Sequence, residues 1–154
     1  MFLICVLAVT VYLAVTAWED HKSCEVTRWK HLIGGIPGVL LFLLNLGKHG
    51  LEENAIVITF SLIYIAVGYV GVYGFADGLV LANLSLVFGS IGGIYGSGAV
   101  LFIMILAAFS FLACHVVKSV VTHERLFRNM AGALIPHIFI GYVVFGFIML
   151  FKVF

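Results

Sequence analysis

The sequence predicts an all-α membrane protein, a bundle of about six transmembrane helices with the N-terminus outside, and three observations predict it. The 154-residue chain is 64% hydrophobic, with a mean hydropathy of +1.23. Only 10% of its residues are Asp, Glu, Lys or Arg, against roughly 25% in soluble domains. These charges fall in short clusters between uncharged runs, and several runs reach the about 20 residues that a bilayer-spanning helix needs.

The runs define the spans in order. Met1 to Trp18 is the first, and Leu32 to Leu46 the second, somewhat short, with Lys48 able to snorkel. Asn54 to Tyr73 is the third. From Gly78 to Val117 no Asp, Glu, Lys or Arg occurs. That stretch is too long for one span and right for two, hinged at the glycine-rich Gly89 to Gly98. Asn129 to Phe151 is the sixth, interrupted by Pro136 and His137. No internal repeat and no Pro/Ser-rich linker divides the chain, so residues 1–154 read as one polytopic domain.

Basic residues are retained on the cytoplasmic side of a membrane. Lys22, Arg28 and Lys30 follow the first span, and Lys118, Arg125 and Arg128 follow the fifth, whereas the opposite side has Lys48 and Lys152. This asymmetry places the N-terminus outside and the first, third and fifth loops in the cytoplasm, as expected of a multi-pass plasma-membrane protein. The first run could instead be a cleavable signal, since Val15 to Ala17 offers small residues. The absence of a basic segment before it and the basic cluster after it argue for retention.

Composition excludes several classes. A net charge of +1 provides no field for nucleic acid. Cys5, Cys24 and Cys114 are widely separated and read as packing residues rather than a disulfide or metal framework. His21, His31, His115 and His123 fall near the cytoplasmic side with Glu19, Asp20 and Glu124. None has the H-E-x-x-H spacing of a helical metal pair, so no metal and no cofactor is expected.

Ionisable groups near hydrocarbon cost about 2.5–3.5 kcal/mol on insertion scales, which singles out Asp77 in YGFADGLVLA. Read structurally, it is an N-cap just ahead of the fourth span. Asp20 stands at the end of the first span, on the same predicted side, while Glu19 beside it reads as an interfacial charge. If the two helices pack, the two carboxyls meet. Close carboxyls hold one proton between them, so the ionised member can take a proton from water while the protonated one polarises a peptide carbonyl. Peptide hydrolysis is then available without metal or nucleophilic side chain.

Gly74 to Asp77, GFAD, is similar to the G-x-G-D signature of membrane aspartyl proteases. With DGLVLANLSLVFG after it, the chain resembles the type IV prepilin peptidases. Asp20, His21 and Lys22 match the place where that family carries its first catalytic aspartate, and ALIPHIFIGYVV, Ala133 to Val144, is similar to the start of its last helix. The resemblance implies Asp20 and Asp77 as catalytic residues. It further implies an endopeptidase that removes the leader from prepilin-like precursors at the cytoplasmic face of the bilayer, just before their hydrophobic N-terminal helix. The methylating region with paired cysteines found in many members has no match, so leader cleavage without methyl transfer is expected. Three departures bear on substrate range: Ala76 replaces the second signature glycine, Leu79 replaces a basic residue, and Val26 and Thr27 stand where Ile-Pro is common.

Other residues are expected to shape the site. Gly68, Gly71, Gly74 and Gly78 allow close backbone approach. Pro136 could break the sixth span and free backbone groups for an extended substrate, or simply kink it. His137 is expected either to bond a catalytic carboxyl or to be satisfied locally. Lys22 to His31 has the charge and the Trp29 of a segment lying on headgroups. Two other function classes remain open: a small proton- or ion-coupled transporter with Asp77 as the ion site, and a structural membrane subunit whose acids only cap helices.

Overall fold

The computed structural model describes residues 2–23, 28–122 and 133–153. Among these the secondary structure is entirely helical: α1 (Phe2–Ser23), α2 (Arg28–Asn45), α3 (Leu51–Val70), α4 (Phe75–Thr122) and α5 (Ile135–Val153). Two of them, Leu51–Val70 and Phe75–Thr122, are long and apolar enough to cross a membrane by length and composition; Trp29–Asn45 and Ile135–Ile148 are shorter apolar segments. Each helix lies over a predicted span, with ends shifted by a few residues.

α4 is the main difference from the predicted count. A straight helix of its 48 residues would be about 72 Å long, more than twice the roughly 30 Å of hydrocarbon in a bilayer. It is not straight. Gly93 leaves helical geometry at φ 56 and ψ −130, inside the hinge that the glycine-rich stretch predicts. A Cβ at Gly96 would collide with the Phe88 carbonyl, and one at Gly89 would lie 3.1 Å from Ser97 Oγ. Residues that would be well separated along a straight helix therefore touch, and α4 is two arms folded back at Gly93.

Contacts fix how the elements run. Glu19 meets Lys30 and Tyr12 meets His31, so α1 and α2 are antiparallel. Tyr64 lies against Gly78 and Val57 against Gly89, so α3 runs antiparallel to the first arm of α4. Ser110 bonds His137, and Ile103 packs on Gly141, which sets the second arm antiparallel to α5. α5 in turn pairs with α1 through Thr10 and Tyr142, at 3.0 Å. One core joins all five helices, from Val9 and Leu13 through Leu41, Tyr64, Leu84 and Ile103 to Ile138. This arrangement gathers the end of α1, the start of α2, the end of α3, the start of α4 and the start of α5 at one end of the bundle.

Two junctions show how sequence sets these contacts. α3 stops at Gly71, whose φ of 88 is the left-handed conformation that glycine takes without strain. The amides of Gly71 and Val72 return to the carbonyls of Gly68 and Val67, a Schellman closure. In α2, Pro37 lacks an N–H and disturbs the preceding turn. The side chain of Asn83 crosses from α4 and donates to the Gly34 carbonyl at 2.7 Å, within that preceding turn.

Lys22 ends α1 and Arg28–His31 open α2; Cys24, Glu25, Val26 and Thr27 lie outside the described residues, as do His123, Glu124, Arg125 and Arg128.

Candidate active site

Asp77 is built into the first turn of α4. The Gly74 carbonyl accepts the first intrahelical bond, from Gly78 at 3.1 Å, so Gly74 is the cap residue and Asp77 is the third helical position. Asp77 is thus one turn inside the helix rather than the N-cap that its sequence position predicts. From there its Oδ2 accepts the Gly74 amide at 2.9 Å, the acidic half of a capping box. The same contact explains the glycine. A Cβ at Gly74 would stand 2.8 Å from Asp77 Oδ2, closer than carbon and oxygen tolerate without movement.

The wall behind Asp77 is equally tight. A Cβ at Gly78 would lie 2.7 Å from the Tyr64 carbonyl. Gly68, across from it, brings α3 against the backbone of Gly74 and Gly78. Tyr73 fills the crevice and donates its phenol to the Tyr64 carbonyl at 2.8 Å. Burial and then the Asp77 charge push the Tyr73 phenol above its ordinary pKa, so it stays a proton donor. Ala76 points instead into the hydrophobic cluster as a half-buried packing residue.

Asp20 comes from the last turn of α1. It is 7% exposed and Asp77 8%. Its Oδ2 accepts the Ile135 amide at 3.1 Å, across the junction between α1 and α5. This bond completes the start of α5. The amides of His137 and Ile138 both reach the Leu134 carbonyl at 3.0 Å, Pro136 has no N–H, and Ile135 is taken by Asp20. Pro136 therefore lies in the first turn of α5, where a proline is well placed, and does not break a span there.

The two aspartates lie at the same end of the bundle, near enough for the charge of Asp20 to be felt at Asp77. Each holds one backbone amide through Oδ2, and Oδ1 of each is without a partner among the described residues and not sealed in the interior. A pair of carboxyls arranged in this way can bind a water or a substrate carbonyl through the free oxygens while the other oxygens fix their position.

The surrounding polar groups are distributed otherwise than expected. Glu19 forms an ion pair with Lys30 at 2.7 Å, linking α1 to α2. His31 is held by the Tyr12 phenol through Nδ1 at 2.7 Å. His137 bonds Ser110 at 2.9 Å rather than either aspartate, and its ring meets Phe111, which also packs against His115. Among the described residues no group of three or more His, Cys, Asp or Glu side chains is placed to hold a metal.

Sequence reasoning did not find Tyr73 or Asn83 as structural partners. Asn83 carried a signal, being a carboxamide inside an uncharged run. Tyr73 carried little, because a tyrosine at a predicted span end is ordinary. No protein-family model, no curated protein and no solved structure matches the chain.

Proposed function

We propose that this protein is a multi-pass membrane aspartyl endopeptidase that cleaves the leader of prepilin-like precursors at the cytoplasmic face, with Asp20 and Asp77 as its catalytic pair. The observation that supports it is the presence at one end of the bundle of two nearly buried carboxyls, one from α1 and one from α4, each anchored by one amide with one oxygen free and near enough for their charges to interact. The resemblance of GFAD to the signature of membrane aspartyl proteases supplies the substrate class. In this reading the two arms of α4 are separate spans, which makes six, and the basic residues after the first and fifth spans put the N-terminus outside and both aspartates at the cytoplasmic end.

In this reading the pair shares one proton. The ionised carboxylate removes a proton from a water bound between the free oxygens, and the hydroxide attacks the scissile carbonyl, which the protonated carboxyl polarises. As the tetrahedral intermediate collapses, the newly protonated carboxyl gives its proton to the leaving amine. Ile135 and Gly74 hold the two acids in place through these steps. The substrate's hydrophobic helix stays in the lipid while its polar leader lies in the cytoplasm. A proton- or ion-coupled transporter with Asp77 as the ion site would instead need access from both faces.

A structural reading has one observation in its favour, since both aspartates do bond helix-terminal amides. Replacement by asparagine separates the two. Asn keeps a side-chain oxygen that accepts a hydrogen bond, so Asp20→Asn and Asp77→Asn can preserve the amide bonds while removing the acid chemistry. The test is leader removal from a prepilin-like precursor in membranes containing equal amounts of each variant. Cleavage by the wild type alone supports the peptidase; undiminished cleavage by both variants would end it.

A further inference from the structure

At the end of the bundle away from the aspartates, one histidine has an acceptor at each ring nitrogen. His49 lies in the turn between α2 and α3, and its side chain is 16% exposed. Its Nδ1 is 3.0 Å from Glu53 Oε2 in the first turn of α3, and its Nε2 is 3.2 Å from the Ser90 carbonyl on the first arm of α4. Asn54 sets the turn for this reach by donating to the Leu46 and His49 carbonyls at 3.0 and 3.2 Å. Both contacts close over the hinge: a Cβ at Gly93 would collide with Glu53 Oε2 and lie 3.3 Å from His49 Nδ1. Lys48 and Glu52, the other charged residues of the turn, are exposed.

We infer that His49 is a proton-operated latch, which ties the α2–α3 turn to the hinge of α4 when the imidazole–carboxylate pair is fully protonated and releases it when one proton is lost. A neutral imidazole has one N–H and one lone pair, whereas a carboxylate and a peptide carbonyl only accept. Keeping both contacts therefore takes two protons. One sits on Nε2 for the Ser90 carbonyl, and the other lies between Nδ1 and Glu53, whichever of the two carries it. With one proton gone, only one contact survives. The charged carboxylate is the stronger acceptor and keeps the remaining N–H on Nδ1, which turns the Nε2 lone pair against the Ser90 oxygen. Glu53 is only four residues from His49, but Ser90 is 41 positions away, so the contact that is lost is the one joining the turn to α4. The place of Ser90 acts in the same direction. It lies in the last turn before the break at Gly93, where a helix favours a cation at its carbonyls. The latch is closed at low pH and opens as pH rises through the titration of histidine, which falls between about pH 5 and 8. It is independent of the aspartate pair and of the peptidase reading.

The test reads the mobility of a nitroxide on the turn by electron paramagnetic resonance. In the full chain with Cys5, Cys24 and Cys114 changed to serine, a label is attached through Gly47→Cys, where nothing lies within 4 Å of a Cβ. Gly35→Cys in α2, equally open, carries the reference label in a second sample. Spectra in detergent are compared at about pH 5 and about pH 8.5, on either side of the histidine range. The mobile fraction at Gly47 should rise about fivefold, the ratio that loss of one net hydrogen bond gives, with no change at Gly35. Glu53→Gln separates the latch from a simple ion pair. Its carboxamide donates to Nδ1, the neutral ring keeps its N–H on Ser90, and the turn should stay immobile at both pH values. His49→Gln should remove the pH dependence. A Gly47 label that does not respond to pH overturns the latch, as does a rise of equal size at Gly35. So does a step that survives in either variant, or a Glu53→Gln turn that is mobile at both pH values.

Discussion

The two ends of the first arm of α4 are built alike and carry their carboxylates differently. Both ends turn on a glycine with positive φ, Gly71 at 88 and Gly93 at 56, and both hold an acid against the turn. At the Gly93 end the acid is Glu53, 43% exposed in its side chain and bonded to His49 at 3.0 Å. His49 also reaches the Ser90 carbonyl at 3.2 Å, one turn before the break, so this acid belongs to an ordinary clasp over a kink. At the Gly74 end the acid is nearly buried, and its charged neighbour is another acid. A turn of this kind can be closed cheaply, as Glu53 shows, with a wetted carboxylate and a basic partner. Asp77 is the costlier arrangement, and closing a turn does not account for it.

The largest expected effect falls on the proposed leader cleavage. Asp20→Asn and Asp77→Asn should each lower leader cleavage at least about 100-fold, the low end of general acid–base contributions. Their unfolding midpoints should stay near the wild type, because the capping bonds survive. Glu53→Gln, the same chemical change at the other turn, should leave cleavage intact. If it were as damaging as Asp77→Asn, the two ends would be equivalent and the contrast between them would be lost.

Next in size is Gly74→Ala. Its Cβ would push on Asp77 Oδ2, and a displacement approaching 1 Å can cost about 100-fold in rate. Cleavage should fall by about 10- to 100-fold. Gly35→Ala is the control, since nothing lies within 4 Å of a Cβ there, and its cleavage should match the wild type.

Gly93→Ala should act on stability instead. A side chain in that backbone conformation costs of order 1–3 kcal/mol, read as a lowered thermal midpoint in detergent with little change in cleavage per folded molecule. The smallest effect is that of Glu53→Gln on stability, under about 1 kcal/mol for a partly exposed pair, measured in the same unfolding experiment.

Much of the fold was legible because hydrocarbon imposes a length on helices and forbids stray charge. The hinge could be read from the glycine cluster, and the structure puts the break at Gly93, inside it. Asp20 and Asp77 could be singled out for the same reason, since a carboxylate at a span end in so apolar a chain is conspicuous. What could not be read were the contacts between distant segments. Asp77 was expected to cap its helix from outside, yet the register of the turn puts Gly74 at the cap and Asp77 inside. Pro136 was read as a possible break in a span beginning at Asn129, because hydropathy alone does not show that α5 starts at Ile135. Nothing local announces that Asn83 will supply the donor beside Pro37, since that bond depends on which helices become neighbours.

The bond from Ile135 to Asp20 joins residues 115 positions apart. A ribosome adding about 5–20 residues per second therefore needs on the order of ten seconds after making Asp20 before the amide that holds it exists. Through that interval α1 to α4 can form and pack, but Asp20 still lacks its anchor. Assembly of α5 thus acts as a timer on the aspartate pair, because until that helix has docked the amide that fixes Asp20 is not in place.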